Sequence, residues 1–214
     1  YGGIYTHNSH NLNIHDNTVF ANGTTGIKYY NDGNSISNVT LTGNIFFAKT
    51  ASQLVSYASG GTVSPSAYFA TANNNYWCRP LSESTSFQVY LNSALNNYSL
   101  SLWKTFTGKE TNSKTSPITF TDVNRIRFEY NASSSSKTIS LGGNYIDARG
   151  TTYTSITLAP YTSAVLMNTS GSTTQSVATA EVVDPVTEKP SFTIYPNPVR
   201  DNFEIILPGT NGTL

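Results

Sequence analysis

Charge is scarce in this chain. Only 11% of the 214 residues are charged, the two signs balance at 12 each, and the formal net charge is zero. An average soluble domain carries about 25% charged residues. With no basic excess there is nothing to draw the chain to nucleic acid. Cysteine occurs once, at Cys78, so an internal disulfide framework is excluded. No apolar run approaches the roughly 20 residues that a membrane-spanning helix needs. The chain opens at Tyr1 in mid-pattern, without a Met or a leader peptide. It is therefore expected to be the C-terminal fragment of a longer protein, with an unknown number of turns missing upstream.

What replaces charge is uncharged polarity. Ser, Thr and Asn together outnumber the charged residues about threefold, far from average usage. Tyrosine is abundant at 14 copies. This balance fits an extracellular β protein that handles neutral polymers or is densely solvated.

The organising feature is a repeat. Asn17-Thr18-Val19-Phe20, Asn44-Ile45-Phe46-Phe47 and Asn74-Asn75-Tyr76-Trp77 follow one another at intervals of 27 and 30 residues. An apolar pair precedes the first two Asn residues at fixed offsets: Leu12 and Ile14, then Val39 and Leu41. Phe69 and Thr71 take those places in the third copy. Apolar and polar residues alternate in Leu12-Asn13-Ile14-His15 and Val39-Thr40-Leu41-Thr42, a period of two that specifies strand. A recurrence of 20 to 50 residues marks a stacked architecture in which neighbouring copies supply each other's core. Asn17, Asn44 and Asn74 are expected to stack as an internal hydrogen-bonded ladder at a turn, because Asn tolerates left-handed backbone and its amide satisfies turn groups. Cys78 aligns with Ala21 and Ala48 and reads as a small buried residue.

Residues 1–78 resemble the right-handed parallel β-helix repeats of secreted bacterial proteins, the architecture of pectate lyases and polygalacturonases. The resemblance implies strands stacked along an axis, with one strand face forming a long groove suited to a polymer. It does not fix an activity, since such folds carry lyases, hydrolases, epimerases and inert stalks.

The rest of the chain reads as cap, accessory domain and address. Residues 79–117 lose the period. Phe87-Gln88-Val89-Tyr90 is one more irregular strand. Ser101 to Gly108 is a short helix, N-capped by Ser101 and C-capped by Gly108, whose Leu102, Trp103 and Phe106 would plug the open end. Trp103, Thr107-Gly108-Lys109-Glu110 and Asn112-Ser113 resemble a segment that follows the last turn in such secreted proteins. Residues 118–168 hold five candidate strands, at 118–120, 125–130, 137–141, 154–158 and 164–167. The turns between them fall at 131–136, 142–144 and 149–150. This reads as a small antiparallel β-sandwich, and Ser155 to Leu166 resembles the closing strands of accessory sandwiches in glycoside hydrolases. A thin core should make it lean on the repeat. Residues 169–190 are a Ser/Thr/Pro linker. Residues 191–214 begin a third unit. Tyr195-Pro196-Asn197-Pro198-Val199, followed by alternating Phe203, Ile205 and Leu207, resembles the start of the C-terminal sorting domain of the Bacteroidetes type IX secretion system. That resemblance implies the start of a second β-sandwich and export to the cell surface or medium, with the secretion machinery as a partner.

Aligning Gly3, Gly26 and Gln53 points Tyr5, Lys28 and Val55 outward at one level and His7, Tyr30 and Tyr57 at the next, with Asp32 close by. Tyr5, His7, Lys28, Tyr30, Asp32 and Tyr57 form the candidate carbohydrate site. Aromatic faces give sugar C–H groups a rigid contact, and the charged groups supply hydrogen bonds. The alternative is that the tyrosines simply pair across strands. His7, His10 and His15 are not read as a metal set, since a three-residue spacing suits helix rather than strand. Lyases of the resembling class often use calcium held by Asp, but these residues do not supply such a cluster and no cofactor is evident. Lys28 with Asp32 is the only base-like pairing on the groove. Asp16 and Asp32 are the only repeat carboxylates available for hydrolysis. The Asn-Thr-Asp, Asp-Asp and Gly-His-Gly motifs of polygalacturonases are absent, and Arg125-Ile126-Arg127, which resembles a lyase Arg-Ile-Lys motif, lies in the sandwich. Any catalytic residues are expected upstream. The sequence therefore points to the C-terminal part of a secreted polysaccharide-acting lyase or glycoside hydrolase. The alternative is a non-catalytic cell-surface module that binds glycans or acts as an adhesin.

Overall fold

The computed structural model describes residues 2–33 and 35–170, together with the backbone of the short strands at 173–174, 193–195 and 204–206. The chain divides into two compact units, Tyr1–Val177 and Ala178–Leu214. Strands dominate, in several sheets, with one α-helix among the described residues.

In the first unit the chain makes three circuits of three strands. The first is β1 (Ile4–His7), β2 (Asn13–His15) and β3 (Thr18–Phe20). The second is β4 (Thr25–Tyr30), β5 (Val39–Thr42) and β6 (Ile45–Phe47). The third is β7 (Leu54–Gly61), β8 (Phe69–Asn73) and β9 (Tyr76–Cys78). Corresponding strands pair in parallel, giving sheets β1-β4-β7, β2-β5-β8 and β3-β6-β9. The irregular strand expected near Phe87 is β10 (Phe87–Leu91), which adds to the first sheet parallel to β7. It turns at Asn92 and Ser93 into antiparallel β11 (Ala94–Tyr98), which closes that edge.

No circuit has a core of its own, so burial comes from stacking. Val39, Leu41, Ile27, Val55, Phe46 and Val89 are all buried in one cluster. An aromatic column runs through it. Phe46 stacks on Trp77 at 4.5 Å, Trp77 meets Phe87 at 5.0 Å, and Phe87 stacks on Trp103 at 4.9 Å. Trp103 belongs to helix α1 (Leu100–Thr107). Its N-cap is Ser99, whose hydroxyl accepts from the Leu102 N–H, rather than the expected Ser101. Gly108 ends it in the left-handed conformation, as expected. The buried face runs through Leu100, Trp103 and Thr107, at i, i+3 and i+7. Leu100 and Trp103 (2% exposed) go inward, while Leu102 is 57% exposed and does not plug the stack.

The asparagine ladder exists, with a different third rung. Asn44 is fully buried. Its Oδ1 accepts from the Asn17 N–H at 3.0 Å and the Asn17 amide at 2.9 Å. Its own N–H and amide donate to Asn75 Oδ1 at 3.0 and 3.1 Å. The expected rung, Asn74, is exposed instead and adopts a positive φ of 56°. A register shift explains this. Val39 pairs with Phe69 but Thr40 pairs with Thr71, so Ala70 is an extra residue and everything after it moves by one. Ala72, not Thr71, then faces Leu41, and Asn74 matches the left-handed turn residues Asp16 and Gly43. Cys78 matches Phe47 instead of Ala48. It remains buried, and burial pushes its thiol pKa up.

The ladder ends on a carboxylate. Asn75 donates its amide to Leu41 O at 2.8 Å and to both oxygens of Glu110 at 3.2 and 3.1 Å. Ser113 also donates to Glu110 and accepts from the Asn75 N–H at 2.8 Å. The segment carrying these groups pairs along the edge of the third circuit, through Glu110 N to Ala72 O, Lys114 N to Asn75 O and Trp77 N to Lys114 O. It takes the place of a next circuit. Glu110 is 1% exposed. Burial raises its pKa, and the bonds from Ser113 and Asn75 partly oppose that.

The strands expected between 118 and 168 form as β12 (Ile118–Thr119), β13 (Ile126–Tyr130), β14 (Lys137–Asp147), β15 (Thr152–Leu158) and β16 (Ser163–Asn168). Four make an antiparallel sheet in the order β13-β16-β14-β15, while β12 pairs with β17 (Thr173–Thr174). The expected turn at 142–144 lies inside β14, as a register irregularity between Ser140 and Tyr145. Phe47, Cys78, Ile118, Phe120, Val165 and Met167 form a second buried cluster, and Phe20 stacks on Phe128 at 5.0 Å. The antiparallel sheet thus leans on the third parallel sheet.

In the second unit, β18 (Thr193–Tyr195) and β19 (Glu204–Ile206) pair antiparallel with Ile194 opposite Ile205. Tyr195 ends β18, while Pro196, Asn197, Pro198 and Val199 lie outside the described residues, as does most of the expected linker 169–190.

Two outcomes follow from the ladder. Replacing Asn44 or Asn75 with Ala orphans several buried backbone groups and should cost about 2–4 kcal/mol each in urea unfolding, whereas Asn74→Ala should cost under about 1 kcal/mol. Equal losses at Asn74 and Asn75 would refute the register. The second outcome concerns pH. Folded Glu110 keeps its proton to higher pH than the unfolded chain does. Stability is therefore greatest below the unfolded carboxyl range and falls as pH rises toward the raised folded pKa. Glu110→Gln should flatten that part of the stability–pH curve; an unchanged slope would contradict this account.

Candidate functional site

Parallel in-register pairing puts like positions of successive circuits side by side, roughly 4.8 Å apart. On the outward face of the first sheet one row reads Tyr5, Lys28, Tyr57 and Gln88. The next reads His7, Tyr30, Ser59 and Tyr90. Inward neighbours Ile27, Tyr29, Ala58, Phe87 and Val89 are buried, so alternation holds the outward set in place.

All six candidate residues share this face, with one correction of register. Val55 does not stand beside Lys28; it is 0% exposed and opposite Gly26. Tyr57 takes that place. The offset from the Gln53 alignment is two residues, and a shift of two preserves the side of a strand on which Tyr57 points. Gly26 allows the neighbouring backbone and the Phe46 ring to approach closely. A Cβ there would fall 2.8 Å from the Val55 carbonyl and 3.2 Å from the Phe46 ring. Gln53 instead works in a turn, accepting from the Lys49 and Thr50 N–H groups and donating to Asn22 O.

Lys28 is the centre of the face. Its Nζ lies 5.5 Å from the Tyr5 ring centroid, 5.3 Å from Tyr30 and 5.6 Å from Tyr57. Three ring quadrupoles attract one ammonium, each contributing up to about 1 kcal/mol at an exposed site. Tyr5 is 54% exposed, and Tyr30 and Tyr57 are half-buried.

His7 stands edge-on to Tyr30 at 5.1 Å, and its Nε2 lies 3.0 Å from Asp32 Oδ2. Asp32 is held from the other side by Asn8, whose amide donates to Asp32 Oδ1 and whose Oδ1 accepts from the Asp32 N–H at 3.1 Å. The Asn8 bond, and then that from His7, lower the Asp32 pKa, so it is a carboxylate at neutral pH. Sequence reasoning missed Asn8, Gln88 and Tyr90. The alternation of Phe87-Gln88-Val89-Tyr90 carried the signal for the last two. Nothing local marked Asn8, whose partner lies 24 residues away.

Other polar groups are not brought to this face. Asp16, just past β2, pairs with His15 at 2.9 Å, whereas Asp32 lies just past β4, a strand of a different sheet. His10 bridges to Ser37. Among the described residues no group of three or more His, Cys, Asp or Glu is arranged to hold a metal. Among the described residues Lys28 forms no ion pair with Asp32. Arg127 is tied to Glu129 at 2.6 Å and to Leu141 O at 2.9 Å within the antiparallel sheet. No helix is long and apolar enough to cross a membrane among the described residues.

Comparison with family models, with curated proteins and with solved structures finds no match to this chain.

Proposed function

We propose that this chain is the C-terminal part of a secreted polysaccharide-acting protein built on a right-handed parallel β-helix, and that the outward face of its first sheet holds the polymer. The carrying observation is Lys28 set among Tyr5, Tyr30 and Tyr57 on the outward face of the parallel strands β1, β4 and β7. Such a face combines rigid aromatic surface with a donor and with the His7–Asp32 pair. Three parallel sheets visited in the same order on each circuit support the β-helix reading. The four-stranded antiparallel sheet, packed on the third parallel sheet, would take the part of the accessory domain. Tyr195-Pro196-Asn197-Pro198-Val199 supports export by type IX secretion, which places the protein outside the cell or on its surface.

A second reading, a non-catalytic glycan-binding or adhesin-like surface module, is favoured by one observation. Asp16 follows β2 and Asp32 follows β4, strands of different sheets, and each is paired with a histidine, so these two carboxylates are not set against each other as in a hydrolase. Lys28, enclosed by tyrosines, is placed for binding rather than for proton abstraction. The two readings separate on incubation with a polysaccharide panel: new reducing ends or unsaturated-sugar absorbance mark an enzyme, and retention without product marks the module.

Replacing Tyr30 or Tyr57 singly with Ala should in each case weaken retention in polysaccharide affinity gels about tenfold, the loss of roughly one aromatic–sugar contact. Unchanged migration on every polymer that retards the wild type would remove the face from consideration. For the address, deletion of residues 195–199 from a secreted form carrying a complete sorting domain should leave it in the periplasm; normal export would refute it.

A further inference from the structure

The geometry points to Asn8 and Asp32 as positioning residues that lock His7 in its Nε2–H tautomer, so that Nδ1 stands on the sheet face as a fixed acceptor for a sugar hydroxyl. This rests on the polymer-binding reading for its ligand, but not for the tautomer.

A neutral imidazole has one N–H and one bare nitrogen, and the partner of one fixes the role of the other. Asp32 offers His7 only acceptor oxygens, and the one facing the ring lies 3.0 Å from Nε2. Nε2 must therefore carry the proton, and Nδ1 is left as the acceptor. Among the described residues no hydrogen bond is made to Nδ1. The orientation is held at three points. Asn8 grips Asp32 in both directions, donating to Oδ1 and accepting from its backbone N–H. The clamped carboxylate aims Oδ2 at the imidazole. The ring packs edge-on to Tyr30 at 5.1 Å and 5.9 Å from Tyr5.

The consequence is a face with a defined hydrogen-bond polarity. Lys28 presents donors in one row, and His7 presents an acceptor in the next. Lysine alone accepts nothing, and the Asp32 oxygens facing Asn8 and His7 are already occupied. A ligand unit that donates a hydroxyl to Nδ1 while offering an oxygen to Nζ fits this pair. A glycosyl unit with neighbouring oxygens meets that requirement.

The test uses the full chain with nitrogen-15 imidazoles, at a pH where histidine is neutral, His7 being assigned by its loss in His7→Gln. The wild type should show a bare Nδ1 and a protonated Nε2. Asp32→Asn and Asn8→Ala should each move both resonances toward the averaged positions of a free imidazole. Averaged resonances in the wild type, or no change in either variant, would overturn the tautomer lock. On any polymer that retards the wild type, both variants should weaken retention about tenfold, as loss of one polar contact does. A shifted tautomer with unchanged retention would overturn the acceptor role. If no polymer retards the wild type, the binding reading and the hydroxyl ligand fall together, and the spectrum still decides the lock.

Discussion

The buried asparagine ladder is the constraint on which the stack depends. At each circuit the chain turns from the second sheet into the third, and the turn leaves backbone groups inside, away from water. Asn44 satisfies them in three directions, donating to Ile14 O and Thr42 O and linking Asn17 to Asn75. The ladder is directional. Every rung donates toward the next circuit, so the final rung needs an acceptor that is not another asparagine. Glu110 supplies it, with Ser113 completing the shell. Burying a carboxylate is costly unless hydrogen bonds meet it, and here the ladder's own polarity directs N–H groups at the charge. One carboxyl on a capping segment thus terminates a repeat that has no internal stop.

That termination positions the outward face. Ladder, aromatic column and helix α1 hold the circuits in one register, and register decides which side chains share a row. Lys28 meets three tyrosines because Tyr5, Lys28 and Tyr57 are successive members of one row, while Tyr30 stands two residues along the same strand on the same face. The third sheet is protected differently, by an antiparallel sheet packed over Phe47, Cys78 and their neighbours. Among the described residues the outward face of the first sheet is polar and aromatic, and it is there that binding is proposed.

Much of the candidate site was legible because outward direction in a strand follows from residue parity alone. Tyr5, His7, Lys28 and Tyr30 needed only an alignment of Gly3 with Gly26. Tyr57 survived a two-residue misalignment because parity was unchanged. Val55 did not: it has the same parity as Tyr57, yet it is fully buried in the core cluster at the start of the strand. The third ladder rung failed for a related reason. Asn74 and Asn75 are chemically identical, and one extra residue at Ala70 selects between them. Leu102 faces solvent because the buried stripe of the helix runs through Leu100, Trp103 and Thr107, a choice made by the core it meets, and two serines were available for the cap that Ser99 takes.

The order of residues by itself determined the β class, the recurrence, the alternation and the polar aromatic face, since each depends on local period and composition. Tertiary structure decided the bulge at Ala70, the offset before Tyr57, the fourth strand of the first sheet and the Asn8–Asp32–His7 relay. These are settled by hydrogen bonds between circuits 24 to 31 residues apart. A bulge changes little within its own strand, yet it fixes the partner of every residue that follows it. No local pattern carries that choice, because its energy is realised only when the next circuit is in place.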